Sequence, residues 1–164
     1  MGDLRVPGDS LWLAVESIDA PGNLGTIIRT AEAAGVAGIF MLGLSTTHSI
    51  PDPWDPATVR ATMGSLFSQK LVRCTTHEII VWAKSAGVAI VGSSPAGLLD
   101  YKALRRQRPA MLLIGSERHG LSDQLIEAAD FMVRIPMRGG CDSINAAVAA
   151  GVLLFEMANQ HRGA

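Results

Sequence analysis

Aromatic residues are scarce in this 164-residue chain, at 5%, while apolar residues together reach 48%. That balance suits an alanine- and valine-rich α/β protein better than an all-β one. Cysteine is nearly missing. Cys74 and Cys141 stand far apart, outside any CxxC or Cys/His cluster, which argues against a disulfide framework or a zinc site and reads as two reduced thiols. There is no surplus of charge, with 14 basic against 15 acidic residues, so the chain is not a polycation and nucleic-acid binding must rest on a local patch or a partner. No apolar run is long enough to span a bilayer, and the opening MGDLRVPGDS lacks the apolar core of a signal peptide. Gly2 does not begin a myristoylation signal, because Val6 stands where Ser or Thr is required. A cytoplasmic protein is the expectation.

The familiar nucleotide and hydrolase signatures are also lacking. No G-x-G-x-x-G follows the first apolar run and no G-x-x-x-x-G-K-[ST] occurs anywhere, which counts against ordinary dinucleotide binding and against a P-loop. No G-x-S-x-G elbow is present, which disfavours an α/β-hydrolase triad.

What is present is an alternation of short apolar runs with segments of helical period. The runs predict strands at 11–17, 38–43, 70–74, 88–94, 110–117 and 131–137, with helices near 23–35, 56–67, 77–86, 122–129 and 143–160. This pattern predicts one α/β domain with a mainly parallel sheet covered by helices on both faces. The proline-rich 49–56 reads as a loop rather than a boundary. Ligands of open α/β sheets lie beyond the carboxyl ends of the strands, and those ends here are small, polar or glycine-rich: GSS, GSERHG and IPMRGGCDS.

Three segments carry chemistry. In DAPGNLGTIIRTAEAAGV, Leu24, Ile27, Ile28, Ala31 and Ala34 form a helical stripe, and Asn23 is placed to cap the helix. Arg29 lies just off the stripe. It could pair with Glu32 at i+3, or lean back over Thr26 and Gly25 toward the helix start, where a cation needs an anion to offset the dipole. In MLLIGSERHGLSDQLIEAADF, Ser122 caps a helix and Glu117 follows the strand end, where it could meet Arg29 or a ligand; His119 beside it receives no role. In VRIPMRGGCDSINAAVAAGVLLFEMANQ, Ser143 is the expected cap of a helix apolar almost all round, as in a core or interface. Asn145 stands in its first turn, and Gly139-Gly140 with the helix start offer backbone donors to a ligand.

NLGTIIRTA, LIGSExxGL and IPMxGxxxSIN, in this order, resemble the three motifs of the SpoU (TrmH-type) ribose methyltransferases of the SPOUT superfamily, and 52–67 is similar to a further stretch typical of that family. The resemblance covers 11–160. It implies S-adenosylmethionine-dependent methylation of a ribose 2′-hydroxyl in tRNA or rRNA, a homodimer, and a C-terminal trefoil knot. The catalytic set it implies is Asn23, Arg29, Glu117, Ser143 and Asn145; the cofactor contacts are Ser93, Ser94, Gly115, Ile135, Met137 and Ile144; no metal is implied. The chain carries Ser-Ile-Asn where the family has Ser-Leu-Asn. The separate N-terminal RNA-binding domain of many members is not expected in it, and Lys102, Arg105, Arg106 and Arg108 form a candidate phosphate-binding patch. Two rival functions are a catalytically silent module that binds RNA or the cofactor, and an α/β enzyme using a dinucleotide.

Overall fold

The computed structural model describes residues 4–43, 52–105 and 109–160. Seven strands, β1 (Leu11–Glu16), β2 (Ile39–Leu42), β3 (Leu71–Cys74), β4 (Ala89–Ser93), β5 (Leu99–Asp100), β6 (Ala110–Ile114) and β7 (Phe131–Arg134), pair in parallel in the order β3-β2-β1-β6-β4-β7-β5. Every residue of β1 is buried, as a central parallel strand requires. Its alternation sends Leu11, Leu13 and Val15 into one core and Trp12 and Ala14 into the other.

Helices α1 (Pro21–Ala33), α2 (Pro56–Thr62), α3 (Thr76–Ser85), α4 (Asp123–Ala128) and α5 (Ala146–Asn159) cover the sheet. α1 and α5 fill the first core with Ile27, Ile28, Leu153 and Leu154. α3 and α4 close the second around Trp12, Phe40 and Trp82, whose rings pack with centroids 4.8 to 5.5 Å apart. α3 starts with a capping box, the Thr75 hydroxyl and the Glu78 carboxylate each satisfying the other's backbone amide. Among the described residues, no helix is long and apolar enough to cross a membrane.

The structure corrects several expected boundaries. α1 begins at Pro21 with Ala20 in the capping position and no side-chain cap. Proline supplies a helical φ and has no amide to satisfy, so Asn23 is free for another use. The helix expected over 56–67 breaks where Met63 (φ 50°) and Gly64 (φ 94°) turn left-handed, and a single 3₁₀ turn (Ser65–Phe67) follows. The strands expected to reach 117 and 137 stop at Ile114 and Arg134, leaving their last residues as loop. α5 starts at Ala146, not Ser143. Its cap is Asn145, whose Oδ1 accepts the Ala147 and Val148 amides at 2.9 and 3.3 Å.

Candidate active site

A cleft of about 510 Å³ opens beyond the carboxyl ends of β4, β6 and β7, within the size range of small-molecule sites. The loop after β4 brings Ser93 and Ser94 to its wall, the turn after β6 brings Gly115, and the segment after β7 brings Ile135, Met137 and Ile144. All six residues assigned to the cofactor by resemblance therefore line one cavity, together with Glu117, Ser143 and Asn145.

The turn after β6 is narrow and braced. Ser116 and Gly120 exchange backbone hydrogen bonds of 3.0 Å each way, and the His119 amide donates to Ser116 Oγ at 3.0 Å. Gly115 must be glycine, because a Cβ there would run into the Gly120 backbone. The half-buried Ile135 and Met137 supply apolar surface to the cleft. Residues 136–144 make no backbone–backbone hydrogen bond among the described residues, so their amides and carbonyls are available to a ligand. A cavity with apolar side chains such as Ile135, Met137 and Ile144, a free backbone edge and the Glu117 carboxylate at its rim fits a nucleoside bearing a cationic sulfonium.

At the rim the three sequence segments meet. Asn23 Nδ2 donates to Glu117 Oε1, and Asn145 Nδ2 donates to Asn23 Oδ1 at 3.2 Å. Asn145 thus spends its oxygen on the α5 amides and its nitrogen on Asn23. Asn23 in turn spends its oxygen on Asn145 and its nitrogen on Glu117. Each amide has one orientation that satisfies both partners. The expected cap role of Asn23 is replaced by this link, and the expected cap role of Ser143 passes to Asn145; Ser143 itself is exposed on the cleft wall.

Arg29 is not drawn into this network. It is exposed on α1 and outside the residues lining the cleft, about 9 Å along the helix axis from Asn23 at 1.5 Å per residue. Among the described residues it makes no ion pair, either with Glu32 or with Glu117. The expected route back over Gly25 is closed, since a Cβ at Gly25 would lie 2.5 Å from the Thr58 carbonyl oxygen and 2.6 Å from Ala61 Cβ. Gly25 admits α2, not the guanidinium. Of the expected basic patch, Lys102 and Arg105 are exposed, with Lys102 Nζ 5.8 Å from the Tyr101 ring centroid; Arg106 and Arg108 lie outside the described residues. No group of His, Cys, Asp and Glu among the described residues could hold a metal ion. The sequence reading assigned nothing to Ser116 or Gly120, the residues that shape the turn; the pair of small residues flanking ERH was the available signal.

Residues 10–155 match the model of the SpoU rRNA Methylase family. The chain belongs to the SpoU family. A 23S rRNA (uridine(2479)-2′-O)-methyltransferase of Streptomyces viridochromogenes is 37% identical over 95% of this chain and 55% of its own length. Among solved structures, an AdoMet-bound rRNA methyltransferase from Sinorhizobium meliloti is 42% identical with a TM-score of 0.88, over 97% of this chain and 59% of that one. The SpoU methyltransferase AviRb from Streptomyces viridochromogenes, in complex with the cofactor AdoMet, is 36% identical with a TM-score of 0.89, over 99% and 62%. The chain spans a little over half the length of these SpoU relatives. It covers 99% of a further solved chain, described as giving structural insights into the 2-OH methylation of C/U34 on tRNA, at 25% identity and a TM-score of 0.82 over 95% of this chain. The parallel sheet with helices on both faces is the α/β fold of these SPOUT-type proteins.

Proposed function

We propose that this chain is a catalytic module that uses S-adenosylmethionine to methylate a ribose 2′-hydroxyl of tRNA or rRNA. The observation that carries the reading is the hydrogen-bonded link from Asn145 through Asn23 to Glu117, which fastens three distant segments at the lip of the cleft. The names of the SpoU relatives support the same chemistry.

When bound, S-adenosylmethionine supplies an electrophilic sulfonium methyl for in-line transfer. The chain's own residues bind, orient and stabilise. The free backbone edge of 136–144 and the apolar side chains of Ile135, Met137 and Ile144 hold the nucleoside, with Ser93, Ser94 and Gly115 lining the same cleft. Ser143, Asn145 and Asn23 orient the polar groups at the cleft mouth, and Glu117 fixes Asn23. The hydroxyl proton leaves to water. Arg29, exposed on α1 outside the cleft, meets a phosphate of the RNA strand that leads to the cleft. It does so as a cation, because a guanidinium is not deprotonated in proteins, and its forked donors suit a phosphate. Rate then comes mainly from positioning and electrostatics.

A homodimer and a C-terminal trefoil knot belong to this reading, as does a cytoplasmic location. Val148 and Phe155, exposed on the otherwise apolar α5, support a partner face. The late insertion of β6 between β1 and β4, and of β7 between β4 and β5, supports the knot. Calorimetric titration with S-adenosylmethionine and with NAD tests the cofactor, and sedimentation tests the dimer. Binding of S-adenosylmethionine alone is expected; preference for NAD would refute the reading.

A further inference from the structure

Glu16 closes β1 and is 3% exposed, a carboxylate at the end of a strand otherwise built of Leu, Trp, Ala and Val. A buried carboxyl group needs a reason, because burying polar atoms is costly unless they are hydrogen-bonded. Its Oε2 accepts the Ser122 amide at 2.7 Å. Ser122 stands five residues after Glu117 and directly beyond the braced 116–120 turn. In the other direction the chain leaves Glu16 through Ser17, left-handed at φ 52°, and enters α1, which carries Asn23 seven residues on. Glu16 is therefore the common root of the two elements whose tips meet as Asn23 and Glu117.

The polar cost at this root is concentrated. Among the described residues, the buried side-chain oxygens without a hydrogen-bond partner are Glu16 Oε1, Ser17 Oγ and Ser122 Oγ. Ser122 occupies the capping position of α4 but gives it no side-chain bond. An apolar residue at 16 would avoid burying the carboxylate and would release the Ser122 amide. We propose that Glu16 is a positioning residue: through the Ser122 amide it sets the Glu117 turn against α1, and so the alignment of Asn23 with Glu117. The inference rests on the methyl-transfer reading for its kinetic consequence but not for its structural one.

The test compares Glu16→Gln, which keeps an acceptor, with Glu16→Met, which removes it at similar length. Amide exchange of Ser122 and the side-chain amide resonance of Asn23, followed by NMR without cofactor or RNA, read the clamp itself. Single-turnover methyl transfer reads its consequence. Glu16→Met is expected to speed Ser122 exchange, shift the Asn23 resonance and lower the transfer rate roughly tenfold with the RNA KM little changed. Glu16→Gln is expected to restore all three. Ser122→Pro removes the donor instead, at a residue whose φ of −64° suits proline; with no amide left to exchange at 122, it should reproduce the Asn23 shift and the slowed transfer of Glu16→Met, and these two readouts decide the matter if Glu16→Met does not fold. Continued protection of Ser122 in Glu16→Met would overturn the proposal. So would equal impairment of Glu16→Gln, unchanged transfer beside an active wild type, or loss of the fold in both acceptor- and donor-deleted variants. A wild type that transfers no methyl group would count against the function instead, leaving exchange and the Asn23 resonance to judge the clamp.

Discussion

Asn145 combines two tasks that a pair of substitutions can separate. Its oxygen caps α5 and its nitrogen holds Asn23. Asn145→Asp keeps a good capping oxygen but loses the donor and faces the Asn23 oxygen with another acceptor. Thermal stability should hardly change while methyl transfer falls at least about tenfold, equivalent to roughly 1.4 kcal/mol of barrier. Asn145→Ala should lose the same activity and also about 1 kcal/mol of stability, read by urea unfolding. At Arg29 the forked guanidinium is the point. Arg29→Lys should reduce turnover with RNA saturating, because a point charge does not reproduce a bidentate contact, and near-normal turnover would contradict the role given to it. The thiols offer a check that needs no activity. Burial, reinforced by the neighbouring Glu78 carboxylate, pushes the Cys74 thiol up to about 12, whereas Cys141 is exposed. Iodoacetamide at pH 8 should label Cys141 alone in the native protein and both cysteines in urea, counted by mass spectrometry.

At the scale of elements, the helix pair α1–α2 is set by Gly25. Gly25→Ala would place a methyl against the Thr58 carbonyl and Ala61. Overpacking of that kind costs about 1–3 kcal/mol, against roughly 1 kcal/mol gained in helix propensity, so denaturant unfolding should show a net loss. The capping box of α3 makes a pH prediction. Hydrogen bonds from the Thr75 amide and hydroxyl hold the Glu78 carboxyl below its ordinary range. Its contribution is therefore complete above the ordinary carboxylate pKa and is lost as pH falls through the lowered folded value. Glu78→Gln should flatten the acid side of the stability profile and leave the neutral side nearly parallel. The strands of both cores were legible because apolar runs such as LWLAVE and AMLLIG have one plausible use in an α/β chain. β5 was not, since Leu99–Asp100 is two residues long and shows no alternation. The break in 56–67 was hidden because it depends on a left-handed Met63, a conformation that no propensity assigns to methionine. The cap of α5 lies two residues beyond the expected Ser143 because Ser143 and Asn145 are equally good caps on chemistry alone.

At the scale of the whole molecule, the parallel order places the loops after β4, β6 and β7 side by side, and the cleft follows from that adjacency rather than from any one loop. The six residues that the SpoU resemblance assigned to the cofactor are all among those lining the cleft, with Glu117, Ser143 and Asn145. The resemblance did not disclose how the members are joined. Asn23 to Glu117 is a bond across 94 positions and Asn145 to Asn23 one across 122; sequence spacing carries no information about such pairs. Glu16 escaped notice for the same reason, since at the end of LWLAVE it reads as the polar finish of a strand until its burial and its Ser122 partner are seen. The proposed reaction has a chemical signature that is independent of all these details, because a ribose whose 2′-hydroxyl is methylated can no longer attack the adjacent phosphodiester in alkali. Total tRNA and rRNA should therefore be incubated with the protein and methyl-labelled S-adenosylmethionine, hydrolysed in alkali and resolved by chromatography. Label in alkali-resistant dinucleotides is the predicted result. Label released on mononucleotides, as base methylation would give, or no transfer by a protein that binds the cofactor, would contradict it.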